Sequence, residues 1–247
     1  MHLYLIRHAQ STNNALWLET GSSRWRDPDP VLSSIGEQQK EHLARFLAMG
    51  NQGLLPLAHD PHNITGFALT HVYCSLMVRA VQTGLLVASG VNLPLYGWRE
   101  IHETGGIVSG DGETEPYEGL PGNPRSFFAE KYPSLVLLDD FGEEGWWNRP
   151  FESDEERPAR ARRVINTLLE RHGQTDDSVA IITHGAFYNH LMRLLVGIEG
   201  RSVWFSLSNT GITRWVFRKD GLEAGWASRS IDYMNRVDFL PAALVTP

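Results

Sequence analysis

Two arginines and two histidines follow apolar runs that the sequence predicts as strands. The run Leu3–Ile6 leads directly into Arg7 and His8, and two later runs are followed by Arg79 and His184. Neither residue type stabilises an apolar core, so this placement indicates a functional site. In open α/β sheets, ligands bind beyond the carboxyl ends of the strands, so we expect the four side chains to converge there.

The chemistry of this set suits a phosphate group. Two guanidinium groups can bind a tetrahedral dianion through paired N–H donors, a geometry that lysine does not provide. Gly185 and Ala186 come directly after His184, at the start of a predicted helix. Their backbone N–H groups and the positive end of the helix dipole would add a further site for an anion. The sequence therefore predicts a phosphate-binding site.

The elements that must position these residues alternate along the chain. Apolar strand-like runs are separated by helical patterns, which is typical of an α/β domain layered around a mainly parallel sheet. The residues between the first strand and Pro30 are predicted as a loop. The predicted helices run from Ser33 or Ser34 to Gly50, from Val78 to about Ala88, from Asn123-Pro124, from the capping box Ser153–Glu156, and through Leu191 and Leu194.

Residues 104–152 differ from the rest of the chain because glycine and proline recur throughout them. Long loops in compact domains often form lids or binding loops. We therefore expect a single domain over residues 1–247, with 104–152 as a loop-rich insertion over the active-site end of the sheet. The basic run Arg157–Arg163 in the following helix is interpreted as a solvated face, with Glu156 and Arg160 spaced for an ion pair.

The composition excludes several classes of protein. A net charge of −7 over 247 residues argues against nucleic-acid binding, which usually needs a basic surface. No apolar stretch reaches the roughly 18 residues of a membrane-spanning helix, and the apolar run before Arg7 is too short for a signal peptide. The one cysteine, Cys74, lies in a predicted strand, which favours a buried thiol and a reduced compartment. We expect a cytoplasmic protein that binds a small molecule.

Several motifs resemble those of the histidine phosphatase superfamily, which has the phosphoglycerate mutase-like fold. The first strand leads into Arg7-His8-Ala9-Gln10-Ser11-x-x-Asn14, which is similar to the family's Arg-His-Gly motif except that Ala9 replaces the glycine. The resemblance covers nearly the whole chain in the expected order. Its further motifs are Leu32-Ser33-x-x-Gly36-x-x-Gln39, Ser75-Leu76-x-x-Arg79-Ala80-x-Gln82-Thr83, Thr183-His184-Gly185, and Asn209-Thr210 ahead of the strand Ile212–Phe217.

The resemblance implies a role for each residue of the cluster. His8 would be the nucleophile that takes the phosphoryl group as a phosphohistidine, and it must be neutral to attack phosphorus. Nearby arginines disfavour its protonated form and also supply positive charge, so no metal ion and no cofactor are expected. The groups that would stabilise the phosphoryl oxygens in the transition state are Arg7, Arg79, His184, Ser11 and Asn14.

The leaving oxygen needs a proton, and the resemblance places a carboxylic acid between the second and third motifs in that role. Glu100 and Glu103 are both candidates. Glu103 is favoured because it lies close to Gly105 and Gly106, where the backbone can approach a ligand closely. A donor must be protonated when it acts, so an acidic pH optimum is expected for aryl phosphates.

Hydrolysis of a small phosphomonoester is the function that these motifs favour. The segment Glu103-Thr104-Gly105-Gly106 differs from the Glu-Arg-x-Tyr-Gly run of true phosphoglycerate mutases, and nothing indicates a site that excludes water. Mutase-type phosphoryl transfer is the second hypothesis, and a catalytically silent module that binds a phosphorylated ligand is the third. Metal ligation by His59 with His62, or by His184 with His190, is a competing interpretation of the histidines.

Substrate specificity is expected to lie in residues 15–30 and in the insertion 104–152. Four tryptophans either line a substrate pocket or pack the insertion onto the sheet: Trp17, Trp25, Trp146 and Trp147. Five arginines are candidates for binding a second anionic group, with a surface position as the alternative: Arg24, Arg26, Arg99, Arg125 and Arg149.

Overall fold

The central strand of a seven-stranded sheet carries the first candidate residues to the middle of the protein. β1 (His2–Arg7) pairs in parallel with β7 (Ser178–Thr183) and antiparallel with β8 (Ile212–Phe217). The parallel pairing continues outward through β2 (His71–Cys74) and β3 (Leu95–Gly97). The sheet is therefore mainly parallel, as the sequence predicts, and the carboxyl ends of β1, β2 and β7 share one edge.

The computed structural model describes residues 1–50, 60–112, 114–200, 202–219 and 228–247. Within them, β6 (Leu135–Leu137) lies beside β3, β9 (Arg229–Arg236) lies beside β8, and β4 (Val108–Ser109) and β5 (Glu118–Gly119) form a small separate sheet. The helices are α1 (Thr12–Thr20), α2 (Ser34–Ala48), α3 (Val78–Gly90), α4 (Arg125–Lys131), α5 (Glu156–His172) and α6 (Gly185–Val196). None of these helices is both long and apolar enough to cross a membrane.

Alternation along β1 produces two hydrophobic cores, one on each face of the sheet. Tyr4 and Ile6 pack with α2 and α3, whereas Leu3 and Leu5 pack with α5 and α6. All four side chains are at most 1% exposed. Successive strand residues point to opposite faces, so a strand that is buried on both sides has a continuous apolar run. The fold is thus a three-layer α/β/α arrangement.

The prediction of a loop before Pro30 was wrong for residues 12–20, which form α1. This helix has no buried residue, so it lacks the apolar periodicity that indicates a helix. It is defined by its ends: Ser11 is the N-cap and forms a reciprocal capping box with Asn14, and Gly21 ends the helix at a φ of 66°. Local capping, rather than core packing, therefore forms α1.

The other predicted helices are present, with small shifts at their ends. α2 begins at Ser34 and ends before Gly50, with Met49 as its C-cap. α3 continues two residues beyond Ala88, and α4 begins directly after Pro124. These differences fall within the range over which helix ends fray.

The capping box predicted at Ser153–Glu156 is wrong as the start of α5. This helix begins at Glu156, with Glu155 as its N-cap and without a side-chain hydrogen bond at the cap. Only half of the predicted box is present, because Glu156 accepts a hydrogen bond from the Ser153 backbone N–H at 2.7 Å.

Residues 104–152 extend the sheet, because β6 lies within them and pairs with β3. Trp146 and Trp147 are buried in the core on the α2 and α3 face, as expected if they pack the insertion onto the sheet. Trp17 and Trp25 are exposed instead. The insertion is therefore attached to the rest of the fold by a strand and by aromatic packing.

The interpretation of Arg157–Arg163 as a solvated face was wrong for Arg160, which has no exposed surface. Its guanidinium donates two hydrogen bonds to the Glu152 carboxylate, at 2.5 and 2.7 Å, instead of pairing with Glu156. A buried charge needs a partner of opposite charge, and Glu152 is 3% exposed. The helical spacing alone does not reveal this pair, because Glu152 lies before the helix begins.

The loop after β1 is fixed by the start of α2. Gly36 lies so close to this loop that an added Cβ would stand 2.0 Å from the Gln10 carbonyl oxygen. Gln39 accepts a hydrogen bond from the Gln10 backbone N–H at 2.7 Å, and Ser33 Oγ donates to Gln10 Oε1 at 2.6 Å. These three residues therefore determine the path of the chain directly after His8.

We predict that Gly36→Ala lowers the free energy of unfolding by at least about 2 kcal/mol, because the new methyl meets backbone atoms that cannot rotate away. The matched control is Gly90→Ala in α3, where the nearest atom to the added Cβ lies 3.4 Å away. Alanine at an open helical position stabilises by up to about 1 kcal/mol relative to glycine. Urea unfolding measures both variants, and equal stabilities would contradict the tight contact at Gly36.

Candidate active site

The four predicted residues meet at the carboxyl edge of the sheet. Arg7 ends β1, His8 follows it, His184 follows β7, and Arg79 is the second residue of α3. The ring centroids of His8 and His184 are 4.9 Å apart, and Arg79 Nε lies 3.1 Å from His8 Nε2. The residues His8, Arg79 and His184 are at most 7% exposed. The sheet thus brings residues that are distant in sequence into one buried cluster.

The hydrogen bonds of His8 distinguish its two ring nitrogens. Nδ1 lies 2.7 Å from the Ala9 carbonyl oxygen, which can only accept a hydrogen bond, so we assign the proton to Nδ1. Nε2 then holds a lone pair, and Arg79 Nε donates a hydrogen bond to it. With this assignment, Nε2 is the ring nitrogen that could act as a nucleophile.

Burial and charge keep His8 neutral. Burial lowers the pKa of His8 well below 6.5, and the guanidinium groups of Arg79 and Arg7 lower it further. The arginines act in the predicted direction, but desolvation of the imidazolium contributes more than they do. His8 is therefore a neutral imidazole at neutral pH.

Arg7 is held at one end by a backbone carbonyl group. Its Nη1 donates to the Leu207 carbonyl oxygen at 2.6 Å, while its buried Nε has no hydrogen-bond partner among the described residues. Burial lowers the pKa of Arg7 to about 10, so the side chain stays charged at neutral pH. Gly185 lies against it, since an added Cβ there would be 3.5 Å from Arg7 Nε. The guanidinium thus keeps a donor for an anion.

Asp29 belongs to the site, although no sequence motif marks it. Its Oδ1 lies 3.8 Å from Arg79 Nη1 and accepts a hydrogen bond from the Val78 backbone N–H at 2.9 Å. Its Oδ2 accepts a hydrogen bond from Asn123 Nδ2 at 3.0 Å. Burial raises the pKa of Asp29 to about 7, although the Arg79 charge acts in the opposite direction. Asp29 therefore orients Arg79 and links α3 to the insertion.

His184 is the second histidine of the cluster, and its ring nitrogens differ from those of His8. Neither Nδ1 nor Nε2 forms a hydrogen bond within the described part of the chain, although the side chain is fully buried. Burial lowers the pKa of His184 well below 6.5, and the Arg79 charge lowers it further. Buried polar atoms are almost always hydrogen-bonded in proteins, so an unsatisfied imidazole beside His8 indicates a ligand site.

The carboxylate of Glu103 occupies the N-terminus of α6. It accepts hydrogen bonds from the backbone N–H groups of Ala186 at 3.1 Å, Phe187 at 2.9 Å and Thr104 at 2.7 Å. The helix end predicted to bind phosphate is thus engaged, at Ala186, by a carboxylate of the protein itself. A helix N-terminus stabilises any anion, and here the anion that it binds is the Glu103 carboxylate instead of a phosphate group.

Arg160 fixes the segment that carries Glu103. Besides its pair with Glu152, it donates hydrogen bonds to the backbone carbonyl oxygens of Glu100 at 2.8 Å and His102 at 2.9 Å. The Glu100 side chain points elsewhere, to an exposed arginine of α5 at 2.8 Å. The two candidate acids therefore lie in different surroundings: Glu100 is directed towards α5, whereas Glu103 lines the cavity described below.

The backbone at Gly105 and Gly106 is approached closely, as predicted, but by aromatic rings of the protein and not by a ligand. Both glycines have positive φ, 89° and 86°. An added Cβ would stand 2.7 Å from the Phe151 ring at the first position and 2.1 Å from the Trp147 ring at the second. The glycine pair thus lets the insertion pack against the Glu103 segment.

Ser11 and Asn14 stand beside the His8 loop and cap α1. Ser11 Oγ donates to Asn14 Oδ1 at 3.0 Å and accepts a hydrogen bond from the Asn14 backbone N–H at 3.2 Å. Asn209 Nδ2 donates to the His8 carbonyl oxygen at 3.1 Å and lies 3.4 Å from Asn14 Oδ1. The Ser11 hydroxyl, predicted as a phosphate donor, is therefore engaged within the protein in this conformation.

A cavity of about 400 Å³ leads to the cluster, and Arg79, Glu103 and Ala186 line it. This volume lies in the range of small-molecule sites, about 300–1,000 Å³, so it accommodates more than a phosphoryl group. Its other walls come from the loop after α1, from the insertion and from α5, and they include Arg26, Tyr117, Phe151 and Arg157.

Of the five arginines considered for a second anionic group, Arg26 lines this cavity and the others contact groups elsewhere. Three of those lie over aromatic rings and one pairs with a carboxylate: Arg24 with Trp25, Arg125 with Phe141, Arg149 with Trp147, and Arg99 with Asp139.

One cluster of three potential metal ligands occurs among the described residues, and it lies at the opposite edge of the sheet. It consists of His71, His172 and Asp177, whose donor atoms are within 4.8 Å of one another. His172 Nδ1 already lies 2.9 Å from an Asp177 carboxylate oxygen. Neither predicted histidine pair is part of this cluster, and His59 lies outside the described residues.

Solved structures of other proteins share this fold. They include a mutant phosphoserine phosphatase from Entamoeba histolytica bound to phosphoserine, with a TM-score of 0.58, 17% identity, and coverage of 97% of this chain and 99% of that one. A mycobacterial glucosyl-3-phosphoglycerate phosphatase has a TM-score of 0.58 and 17% identity, with coverage of 96% of this chain and 99% of that one. Bacillus stearothermophilus YhfR has a TM-score of 0.56 and 16% identity, with coverage of 96% of this chain and 98% of that one. No curated protein sequence matches the chain significantly. At these identities the similarity establishes the fold alone.

The family model of the histidine phosphatase superfamily (branch 1) matches residues 61–227. The matched residues contain Arg79, Glu103 and His184, and the Arg7-His8 motif precedes them. The match covers well over half of the chain and agrees with the fold and with the order of the motifs. The chain therefore belongs to the histidine phosphatase superfamily.

Proposed function

We propose that the protein hydrolyses small phosphomonoesters through a covalent phosphohistidine on His8. The observation that carries this proposal is the orientation of His8, whose Nδ1 is bonded to the Ala9 carbonyl oxygen while its neutral Nε2 faces Arg79. Arg7 and His184 hold unsatisfied donors in the same buried cluster. The positive charge of Arg7 and Arg79, together with the N–H groups of the cluster, can stabilise a phosphate dianion, so the proposed reaction needs no metal ion and no cofactor.

In the first step, His8 Nε2 attacks phosphorus and the bond between phosphorus and the ester oxygen breaks. Arg79 gives up its hydrogen bond to Nε2 and, with Arg7 and His184, stabilises the charge on the three equatorial oxygens. Glu103, in its protonated form, transfers its proton to the leaving oxygen, so the alcohol departs neutral. This step leaves a phosphohistidine and an ionised Glu103.

In the second step, a water molecule attacks phosphorus and Glu103 takes a proton from it. The bond between phosphorus and His8 Nε2 breaks, inorganic phosphate leaves, and both side chains return to their starting states. Glu103 suits this double role because it lies on the cavity wall beside Arg79, where alcohol and water would enter and leave.

The solved relatives support a phosphatase with a small phosphorylated substrate. Two of those described above are named as phosphatases of phosphoserine and of glucosyl-3-phosphoglycerate. In this proposal residues 1–247 act as one domain, and the insertion 104–152 covers the site. Gly185 would contribute its backbone N–H to the phosphoryl group from its position against Arg7.

We predict that His8→Ala lowers the hydrolysis of p-nitrophenyl phosphate by at least about 1,000-fold, because the variant lacks the nucleophile. Phosphate release is measured in excess chelator, with His62→Ala as the control for loss of an exposed histidine. Chelation and the control variant should leave the rate unchanged. Equal rates for His8→Ala and the wild type would mean that another residue is the nucleophile.

The same preparation separates hydrolysis from mutase-type transfer. A wild-type protein that isomerises 3-phosphoglycerate faster than it releases phosphate would support the mutase. A protein that does neither, yet binds inorganic phosphate, would support the silent binding module.

We predict that Glu103→Gln slows the hydrolysis of an alkyl phosphate by about 100-fold or more and that of p-nitrophenyl phosphate far less. An alkoxide needs a proton to leave, whereas p-nitrophenolate leaves without one. The matched control is Glu100→Gln, whose side chain lies outside the cavity and which should change neither rate more than about twofold. Loss of activity in Glu100→Gln with retention in Glu103→Gln would reverse the assignment.

We predict that kcat for phenyl phosphate rises as the pH falls from about 8 to about 5, because phenolate, unlike p-nitrophenolate, leaves poorly without a proton and the donor must be protonated to supply it. His8 does not oppose this trend: its pKa lies well below 6.5, so the nucleophile remains neutral until the pH falls to that lowered value. The measurement is kcat against pH at saturating substrate. A kcat that increases steadily as the pH is raised through 7 would contradict the role of the acid. A kcat that decreases on acidification with an apparent pKa near 6.5 would contradict the lowered pKa of His8.

A further inference from the structure

An aromatic stack with an arginine at each end forms the outer wall of the active-site cavity. The rings of Tyr117 and Phe151 have centroids 4.8 Å apart and planes inclined by 7°. Arg26 Cζ lies 6.0 Å from the Tyr117 centroid, and Arg157 Cζ lies 5.3 Å from the Phe151 centroid. Such contacts orient a guanidinium group without neutralising its charge. The stack therefore presents Arg26 to the part of the cavity beyond Arg79.

Among the described residues, no carboxylate forms an ion pair with Arg26, in contrast to the other two arginines of this cavity. Arg79 lies 3.8 Å from Asp29, and Arg157 pairs with Asp154. The Arg26 Nε is buried and has no hydrogen-bond partner among the described residues. A desolvated guanidinium N–H without an acceptor is costly, so an anion that reaches it is bound favourably.

The acidic residues near Arg26 do not fill this role. Asp111 and Glu115 line a neighbouring cleft that Arg26 also borders. Within the described part of the chain, no carboxylate oxygen lies within 4.0 Å of a guanidinium nitrogen of Arg26, the distance that defines an ion pair. The Arg26 side chain thus borders both the active-site cavity and this cleft.

The reacting phosphoryl group has its own donors, and Arg26 is not among them. Arg7, Arg79 and His184 surround His8 in the buried cluster, whereas Arg26 lies on the outer wall with the aromatic stack. A second guanidinium region, separate from the first, suits a ligand with two anionic groups rather than one.

We propose that Arg26 binds a second anionic group, a carboxylate or a phosphate, on the leaving group of the substrate. The inference rests on the proposed function and names its substrate class: small molecules with a phosphomonoester at one end and another anion at the other. A guanidinium binds either group through two parallel hydrogen bonds. The rings of Tyr117 and Phe151 line the space between the two anions.

The test uses three compounds on one carbon skeleton: glycerol 3-phosphate, which has no second anion, 3-phosphoglycerate, which has a carboxylate, and glycerol 1,3-bisphosphate. kcat/KM is measured for the wild type, for Arg26→Gln and for Arg24→Gln. Arg24 is the matched control, because it lies on the same loop over the exposed Trp25 and does not line the cavity.

The wild type should prefer at least one of the doubly anionic compounds over glycerol 3-phosphate by about tenfold or more, and the preferred compound identifies the anion. Arg26→Gln should lower kcat/KM for that compound by about 10- to 100-fold and leave glycerol 3-phosphate within about threefold. Arg24→Gln should keep the preference. Equal losses on all three compounds in Arg26→Gln, or a wild type without preference, would overturn the proposal.

A binding measurement separates this inference from the proposed hydrolysis. Titration calorimetry compares the affinities of the three compounds for His8→Ala and for His8→Ala with Arg26→Gln, where turnover does not interfere. If the higher affinity for a doubly anionic compound disappears in the variant with Arg26→Gln, the second anion site is supported. This holds even if the wild type hydrolyses none of the compounds, a result that would refute only the proposed hydrolysis. Hydrolysis of p-nitrophenyl phosphate by the wild type, with no effect of Arg26 on any affinity, refutes the second anion site alone.

Discussion

Two guanidinium groups are buried beside two neutral imidazoles, and the structure at the carboxyl edge of the sheet depends on this constraint. Buried charges are costly unless they are paired or hydrogen-bonded. Arg7 is held by a backbone carbonyl oxygen and Arg79 by Asp29 and by His8 Nε2, which leaves part of their hydrogen-bonding capacity unused. The same burial lowers the pKa of His8 and His184, so the cluster holds positive charge on the arginines alone. Binding of an anion would satisfy these groups together.

The candidate acid is placed by a second buried charge network that runs between the helices on the other face. Arg160 of α5 pairs with Glu152 and holds the backbone just before Glu103. Glu103 then reaches the N-terminus of α6, so its carboxyl group is tied to the same helix that follows His184. Breaking one partner of such a pair leaves an uncompensated buried charge, which is why these residues act as a unit.

The proposed catalytic groups and the outer wall of the cavity come from different parts of the fold. The chemical groups stand at the ends of buried strands, whereas the outer cavity wall is built from the loop after α1 and from the insertion. Loops positioned by a rigid scaffold are the usual place for specificity, because they can change without disturbing the core. Here the insertion is itself anchored, by β6 at the sheet edge and by Trp146 and Trp147 in the core.

The alternation of strands and helices around a mainly parallel sheet, and the meeting of Arg7, His8, Arg79 and His184 at its edge, could be predicted from the sequence, whereas α1 was predicted as a loop. Periodic apolar runs define buried strands locally, and parallel strands necessarily place their carboxyl ends on one edge. The motif that contains Gly36 could also be identified in the sequence, but the structure shows why glycine is needed there: its backbone contacts that of Gln10. Only the tertiary structure decided the rest, because charge compensation joins residues that no local pattern relates. Asp29 beside Arg79, the buried pair of Arg160 with Glu152, and Arg26 on the cavity wall all depend on which segments the fold brings together.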